Sequence, residues 1–487
     1  MIQQMPADPE AFLRLLTEGN PWWASGTVPK TLAPPYERSE FGLIRKELDT
    51  RPITALAGPR QVGKTTLLYQ LIRHQISQGT PPKHLLYVSF DFPGLGAATD
   101  DPLNDALRTW GDRVLGQPWR EIQGRALVCL DEITKAPNWH RDLKGWFDLA
   151  YPLKFAISDS SATALRAGAA ASLTGRVSTH LLLPWKFLDV LSYRDSGWQW
   201  RSQADALRSA FLKAVKSGRA ESLFRALQVF SANTAGRRSV LREALDRFLR
   251  VDGFPELLGA EDLMWCARRL REYVSLTLAR DLYRLFEVRA TGALEALLAL
   301  AARESGQRIS YRGWADTIHL QERTLVDYLE YLEGAHLLSH AEFYSRSRAA
   351  RIRKQRKVYV TNPGIRNALL GSPGLAPLPD PATLGQTVEG VVHDHARRMG
   401  GDGSGSLAEA FYWRDSHGNE VDVVVEVGGR LLPIEVKYRG DPGQGLEGIR
   451  SFLKEHRTPF GLVVTRDVLR LDGNLLYLPL ETFAVLA

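Results

Sequence analysis

The sequence contains few cysteines and no long apolar run, and its 62 basic residues nearly balance its 55 acidic residues. Two cysteines, Cys129 and Cys266, occur in 487 residues, too few and too far apart for a disulfide framework or a zinc knuckle. No uncharged apolar run approaches the roughly 20 residues that a membrane-spanning helix needs. The first residues, MIQQMPADPE, lack the basic start and apolar core of a secretion signal. We therefore predict a cytoplasmic protein that does not enter a membrane.

The remaining composition is that of a globular protein. Hydrophobic residues make up 44% and charged residues 24% of the chain, and at roughly 100–200 residues per domain the length predicts about three domains. The net charge of +7 favours a polyanionic partner only if the positive charges lie together.

Short apolar runs alternate with amphipathic stretches between about residues 51 and 195, which is typical of an α/β fold with a parallel sheet. Residues 200–300 have leucine and arginine at helical spacing, and strands alternate again from Phe411 onward. The predicted segments are an N-terminal arm (1–50), an α/β core (51–195), a helical lid or linker (196–294), a basic helical module (295–370) and a C-terminal mixed α/β domain (380–487).

The segment from Gly58 to Thr65 matches the phosphate-binding pattern G-x-x-x-x-G-K-[ST]. It follows an apolar strand and precedes a helical stretch, the context in which backbone N–H groups and a helix N-terminus surround phosphate oxygens. Lys64 is predicted to reach the β- and γ-phosphates of ATP, and the Thr65 hydroxyl to bind Mg²⁺. The predicted nucleotide-binding residues are Gly58, Pro59, Arg60, Gln61, Val62, Gly63, Lys64, Thr65, Thr66 and Asp131.

Three acidic or polar positions and one arginine complete the predicted ATP site. Asp131 ends the apolar strand Ala126–Leu130 and is predicted to bind Mg²⁺, with Glu132 beside it polarising the attacking water. Ser158 either senses the γ-phosphate or is an ordinary serine at a strand end. Arg176 either completes the site as an arginine finger, in its own chain or in a neighbouring subunit of a homo-oligomer, or makes a local pair.

Residues 20–190 resemble the bacterial and archaeal AAA-superfamily ATPases of the domain-of-unknown-function type. The resemblance lies in the motifs NPWW (20–23), GPRQVGKTT (58–66), LDEI (130–133), SDSS (158–161) and LTGR (173–176). It implies a P-loop ATPase core followed by a winged helix and a nuclease-like domain. Asp159 departs from the pattern, which usually has a small residue there.

Residues 310–332 read as two helices joined by a short turn, and the basic segment, residues 346–357, follows them. This segment has seven positive and no negative side chains, and a strand follows it. Helices followed by a basic hairpin are typical of a winged-helix unit that binds the backbone of nucleic acid, with DNA favoured. The alternative is a solvated basic loop or a wing that contacts another domain.

In the C-terminal domain, two β-rich runs flank Gly428-Gly429, which predicts a hairpin with a two-residue turn. In this register Asp422 lies opposite Glu435, and Glu420 lies opposite Lys437, all on one face. Opposed carboxylates repel unless a positive charge lies between them, so we predict Mg²⁺ or Mn²⁺ at Asp422 and Glu435. Lys437 would then orient water or stabilise the transition state of phosphodiester cleavage. Pro433 is the residue that could shift this register.

The same segment resembles the nuclease fold named for its proline–aspartate…(aspartate/glutamate)-x-lysine signature. Asp422, Glu435 and Lys437 match its core positions, and the resemblance adds Glu389 as a further metal ligand; Val421 replaces the signature proline. His393 and His395 read as solvated helix residues rather than ligands. The leading hypothesis is an ATPase that couples nucleotide turnover to DNA binding and to a metal-dependent nuclease. The alternative is a nucleotide-switched binding protein whose nuclease-like fold does not cleave.

Overall fold

The computed structural model describes residues 9–160, 165, 172–283, 291–371, 381–401, 406–438 and 442–487. The chain forms two compact units, Met1–Leu183 and Pro184–Ala487. In the described ranges, no helix combines the length and the apolar character needed to cross a lipid bilayer.

The first unit is built on a parallel sheet of five strands in the order β2-β3-β4-β1-β5. Four of them are the apolar runs found in the sequence, and their residues are almost all buried because helices cover both faces of a parallel sheet. The fifth strand has only one fully buried residue, His180, and was not predicted. The strands are β1 (Ile53–Ala57), β2 (Leu85–Ser89), β3 (Ala126–Asp131), β4 (Leu153–Asp159) and β5 (Val177–Leu181).

Several helices of this unit begin at a start signal in the sequence. The phosphate-loop helix begins directly at Lys64, after Gly63 at φ 96°, and proline is the first residue of three of the others. The helices are α1 (Pro9–Gly19), α2 (Trp22–Ser25), α3 (Phe41–Lys46), α4 (Lys64–Ser77), α5 (Pro93–Ala98), α6 (Pro102–Thr109) and α7 (Trp139–Asp148).

The second unit begins with the helix-rich region that the leucine and arginine spacing predicted. Its helices to residue 334 are α8 (Phe187–Arg194), α9 (Trp200–Ser217), α10 (Glu221–Asn233), α11 (Arg238–Arg250), α12 (Leu263–Leu276), α13 (Thr291–Arg303), α14 (Tyr311–Thr317) and α15 (Glu322–Gly334). The predicted turn between the last two therefore separates two observed helices. The later helices are α16 (Arg348–Arg353), α17 (Pro363–Leu369), α18 (Pro381–Gly400), α19 (Glu447–His456) and α20 (Leu480–Leu486).

A mixed sheet of eight strands joins the basic module to the C-terminal domain. Its strands are β6 (Leu338–Phe343), β7 (Lys357–Val360), β8 (Ala410–Arg414), β9 (Glu420–Val427), β10 (Arg430–Lys437), β11 (Gly461–Thr465), β12 (Arg470–Asp472) and β13 (Leu475–Pro479). They are ordered β12-β13-β11-β10-β9-β8-β6-β7. The β6–β7 hairpin continues the C-terminal sheet because β6 pairs in parallel with β8, so the two predicted segments share one sheet.

The predicted hairpin register is confirmed along the paired length of β9 and β10. Arg430 pairs with Val427, and the same register continues to the pair Ile434–Val423. Gly428 and Gly429 both have positive φ, as a two-residue turn of this kind requires. Pro433 pairs with Val424 in the same register, so it does not shift the strand.

Candidate functional site

The phosphate-binding loop needs glycine at its first position for two reasons. Gly58 has φ +155°, and a Cβ built there would lie 2.0 Å from the carbonyl oxygen of Leu182, just after β5. The loop therefore leaves β1 in close contact with the neighbouring strand. Gly63, at φ 96°, provides the left-handed turn into α4.

Lys64 lies inside this loop. Its Nζ donates to the carbonyl oxygens of Gly58 and Pro59, both at 2.9 Å. Burial lowers the pKa of Lys64, while the nearby carboxylates Glu132 and Asp131 act in the opposite direction. An ammonium held by two carbonyl oxygens of the phosphate loop is suited to exchange those oxygens for phosphate oxygens.

Asp131, at the carboxyl end of β3, is the centre of the site. Its Oδ2 accepts hydrogen bonds from Thr65 Oγ1 at 2.7 Å and from the Tyr87 hydroxyl at 2.9 Å. Its Oδ1 accepts a hydrogen bond from Ser158 Oγ. The structure thus brings together Thr65, Asp131 and Ser158, which the sequence placed on three separate elements. A carboxylate beside a threonine hydroxyl offers the hard oxygen ligands that Mg²⁺ prefers.

Glu132 follows in a left-handed conformation, with φ 52°. Burial raises its pKa, the Lys64 ammonium opposes this shift, and Ser160 donates to the carboxylate at 2.9 Å. A raised pKa moves a carboxylate toward the range in which it acts as a general base near neutral pH. The unusual Asp159 is accounted for locally, because its carboxylate accepts from Thr134 N at 3.0 Å and Thr134 Oγ1 at 2.6 Å.

Arg176 does not join the other predicted site residues of its own chain. It immediately precedes β5, and Ile53, the first residue of β1, donates to its carbonyl oxygen at 2.8 Å. The phosphate loop follows Ala57 at the other end of β1, so Arg176 and the loop lie at opposite ends of the strands. Its guanidinium pairs with Asp148 at 2.9 Å. The contact with Asp148 is the local pair that the sequence left open for Arg176; a role as an arginine finger stays a prediction, and this position favours action on a neighbouring subunit over action within one chain.

Two residues that the sequence did not single out support the site. Arg38 is 4% exposed and donates to the carbonyl oxygens of Val62 at 3.1 Å and Leu183 at 3.0 Å. Tyr87 contacts Asp131 from the edge strand. Neither residue belongs to a recognisable motif: an arginine in a proline-bearing segment and a tyrosine in an apolar strand are both common.

The C-terminal carboxylates lie around buried lysines. Lys357 is 4% exposed at its side chain, and its Nζ lies 3.0 Å from Glu389 and 2.6 Å from Glu420. The Tyr359 hydroxyl also donates to Glu389, at 2.9 Å. Burial raises the pKa of Glu389 to about 7, against the pull of Lys357. Burial disfavours the charged form of Lys357, but Glu389 and its neighbours raise the pKa of this lysine well above its usual value.

A second lysine neutralises the predicted metal ligand Glu435. Lys437 Nζ lies 2.6 Å from Glu435 Oε1, and Asp422 Oδ2 accepts from the backbone N–H of Val436 at 2.8 Å. Burial and the Asp422 charge raise the pKa of Glu435 well above its usual value, although Lys437 opposes them. Both lysines thus contribute the positive charge that these carboxylates require.

The described residues contain no group of three or more His, Cys, Asp or Glu side chains placed to hold a metal ion. In particular, Glu389, Asp422 and Glu435 do not form the predicted metal-binding group. The physical reason is that Lys357 and Lys437 pair with Glu389 and Glu435. The two lysines thus supply the positive charge that the sequence analysis expected from a divalent cation. Glu420 forms an ion pair with Lys357 at 2.6 Å, and its predicted position opposite Lys437 lies beyond the paired residues of β9 and β10.

The two helix histidines are buried, so the expectation of solvated side chains was wrong. His395 Nδ1 lies 2.9 Å from the carbonyl oxygen of Val391, and burial lowers the pKa of this residue to about 4. His393 stacks on the Tyr359 ring with centroids 4.1 Å apart. Both contacts are structural and neither histidine joins a metal-binding group in the described part of the chain.

The basic segment is less uniformly exposed than its composition suggested. Lys357 is buried, Arg356 pairs with Glu342 at 3.2 Å, and Arg351 lies over the Phe411 ring at 4.6 Å. The exposed positive side chains are Arg346, Arg348, Arg353 and Lys354. The segment thus has four exposed basic side chains and one buried lysine, Lys357, which is held in place by its ion pairs with Glu389 and Glu420.

Three models of known protein families match separate stretches of the chain. Residues 50–191 match the model of a family described as an AAA domain. Residues 242–375 and 384–483 match two families described as domains of unknown function, DUF8612 and DUF4143. The parallel sheet confirms the α/β fold that the sequence predicted, and the first match shows that residues 50–191 are similar to AAA domains.

Similar proteins have no assigned function. An uncharacterized protein of Methanocaldococcus jannaschii is 24% identical over 469 residues, covering 92% of this chain and 89% of the relative. An uncharacterized protein of Mycobacterium tuberculosis is 24% identical over 409 residues, covering 83% of this chain and 74% of the relative. The solved ORC2 protein of Aeropyrum pernix in its ADP form covers 80% of this chain and 98% of its own, with 13% identity and a TM-score of 0.30. These similarities assign no activity to the chain.

Proposed function

We propose that this chain binds ATP with Mg²⁺ at residues 58–66 and hydrolyses it, and that nucleotide turnover is coupled to the binding of nucleic acid. The observation that carries the proposal is the 2.7 Å contact between Thr65 Oγ1 and Asp131, beside the buried Lys64 ammonium. This arrangement supplies both a cation for the phosphates and hard oxygen ligands for Mg²⁺.

Each side chain has a chemical role in this proposal. Lys64 binds the β- and γ-phosphates, while Thr65 and Asp131 hold the Mg²⁺ that neutralises developing charge. Glu132 orients the attacking water and accepts its proton, a task that its raised pKa suits. Arg176 acts on the site of a neighbouring copy, which makes the active form a homo-oligomer.

The test is ATP hydrolysis by the full chain in Mg²⁺. Lys64→Ala should abolish nucleotide binding, whereas Glu132→Gln should keep binding and lose hydrolysis, because the amide is not a base. Lys46→Ala, at an exposed lysine outside the loop, is the matched control and should retain parental turnover. Hydrolysis that survives in Glu132→Gln or in Lys64→Ala would contradict the assigned roles.

For nucleic acid, we propose that α13, α14 and α15 with the β6–β7 hairpin act as a winged helix. Support comes from the order of three helices followed by an antiparallel hairpin and from the exposed Arg346, Arg348, Arg353 and Lys354 in the hairpin connection. Helix α15 carries Asp327, Glu330 and Glu333, so binding to the DNA backbone is favoured over base recognition.

A specific observation favours the alternative reading of the C-terminal domain, in which the nuclease-like fold binds but does not cleave. Lys357 and Lys437 pair with Glu389 and Glu435, so Mg²⁺ or Mn²⁺ would have to compete with two ammonium groups. The discriminating experiment incubates the parent and Glu435→Ala with DNA and Mn²⁺. Cleavage by the parent that Glu435→Ala loses would restore the nuclease hypothesis; no cleavage by either supports the binding role.

A further inference from the structure

The N-terminal arm closes the exposed edge of the nucleotide-binding sheet. Strand β2 is an edge strand, and Asn20 binds it as a neighbouring strand would. Its Nδ2 donates to the carbonyl oxygen of Tyr87 at 2.8 Å, and its Oδ1 accepts from the Tyr87 N–H at 2.6 Å. Trp22 and Trp23 both donate their indole N–H to the carbonyl oxygen of Leu85, at 2.9 and 2.8 Å. The backbone of β2 is thus fixed at two alternate residues.

The residue that Asn20 holds on both backbone groups is the one whose side chain reaches the predicted magnesium ligand. Tyr87 is 6% exposed, and its hydroxyl donates to Asp131 Oδ2 at 2.9 Å. Its ring also lies 4.4 Å from that of Tyr69 on α4, the helix that begins at the phosphate loop. Burial raises the pKa of the Tyr87 phenol, so the group remains a donor at neutral pH.

The position of this hydrogen bond gives it a role beyond packing. Asp131 Oδ2 has two donors, Thr65 and Tyr87. Thr65 would itself hold the metal ion through its hydroxyl oxygen, whereas Tyr87 is placed only as a donor to Oδ2, so Tyr87 is able to orient this ligand. A hydrogen bond to a charged group is the stronger kind, so this contact can hold Oδ2 in place.

We propose that Tyr87 is a positioning residue for the magnesium site, and that the N-terminal arm, acting through Asn20, holds Tyr87 in place. This inference rests on the proposed nucleotide function of Asp131. It assigns the arm a task at the site itself: detaching the arm from β2 would release the tyrosine that orients the magnesium ligand.

The test is the Mg²⁺ dependence of ATP binding by the full chain, measured by titrating Mg²⁺ at fixed ATP. Tyr87→Phe keeps the ring and removes only the hydroxyl, and we expect it to raise the Mg²⁺ concentration at half-saturation by roughly tenfold, the effect of losing one charged hydrogen bond. Saturating Mg²⁺ should restore parental ATP affinity. Asn20→Leu should shift the titration in the same direction. Tyr151→Phe removes a hydroxyl from an aromatic cluster elsewhere in the same unit and should match the parent.

A Tyr87→Phe titration that superimposes on that of the parent would overturn the proposal. So would a loss of ATP affinity that is equal at all Mg²⁺ concentrations, because that would indicate a general structural defect. If Asn20→Leu fails to fold, Tyr87→Phe still decides the role of the hydroxyl. If the parent binds Mg²⁺–ATP but does not hydrolyse it, the proposed hydrolysis fails while the titration still tests Tyr87. A parent that binds no nucleotide overturns both.

Discussion

The buried Lys357 gives the sharpest prediction for the C-terminal cluster. Replacing it by methionine keeps the length of the side chain and removes the ammonium that lies 3.0 Å from Glu389 and 2.6 Å from Glu420. Removing one partner of a buried ion pair typically costs about 3–5 kcal/mol, because the remaining charge is left without a counter-ion. Taking the lower value, the local free energy of opening should fall by about 3 kcal/mol, or roughly a hundredfold in the opening equilibrium.

The cost should depend on pH in a defined direction. Glu389 has a pKa raised to about 7, so the folded cluster holds a proton that the unfolded chain has already released at mildly acidic pH. The contribution of Glu389 to the free energy of unfolding is therefore greatest below the pKa that this residue has in the unfolded chain, and it falls as the pH rises toward about 7. At about pH 5.5 Glu389 is neutral and needs no cation, so Lys357→Met should then lose mainly the ion pair with Glu420, and its cost should be smaller than at about pH 8.

Hydrogen exchange of the full chain, followed by mass spectrometry on peptides from β7 and β9, measures this local opening. The variant and the parent are compared at each pH, which cancels the intrinsic pH dependence of exchange. Lys354→Met is the matched control, because Lys354 is exposed and lies over the Phe343 ring; it should leave exchange unchanged. Equal acceleration at both pH values, or none at about pH 8, would refute the electrostatic account of the cluster.

Three further outcomes follow from the geometry. Gly58→Ala should abolish ATP binding in calorimetry, because its Cβ would lie 2.0 Å from Leu182 O. Gly145→Ala is the control, because a Cβ there meets nothing within 4 Å; equal binding by both variants would count against the loop geometry. Mixing Arg176→Ala with Glu132→Gln should restore hydrolysis that neither variant shows alone, and an inactive mixture would exclude action between subunits. The variant with glutamine at Arg346, Arg348, Arg353 and Lys354 should show a weaker salt dependence of DNA binding in fluorescence anisotropy. The slope of log K against log salt concentration should become shallower by about 0.9 for each phosphate that the variant no longer neutralises. An unchanged slope would place the DNA surface elsewhere.

The nucleotide core was predictable because its signals are local. A glycine-rich loop between an apolar strand and a helix predicts one arrangement, and four of the five strands of the sheet are continuous buried runs. Strand β5 was missed because only one of its residues, His180, is fully buried. The hairpin register was predictable because Gly428 and Gly429 define the turn.

What the sequence could not supply is the direction in which polar side chains turn. Lys357 reads as part of an exposed basic segment, yet it points into the sheet because Glu389 and Glu420 lie there. Tyr87 reads as a core aromatic, and only the pairing of β2 with β3 brings its strand beside that of Asp131. Arg176 was placed with the ATP site by its motif, whereas the pairing of β5 with β1 puts it at the opposite end of the strands.

The central claim is that magnesium and triphosphate bind between the phosphate loop and Asp131. The most direct measurement is a crystal structure of the full chain with Mn²⁺ and a non-hydrolysable ATP analogue, located by the anomalous signal of manganese. The account predicts a manganese peak beside Thr65 Oγ1 and Asp131, with Lys64 Nζ moved from the carbonyl oxygens of Gly58 and Pro59 to the phosphates. A nucleotide bound away from the loop, or a manganese peak remote from Asp131, would contradict it.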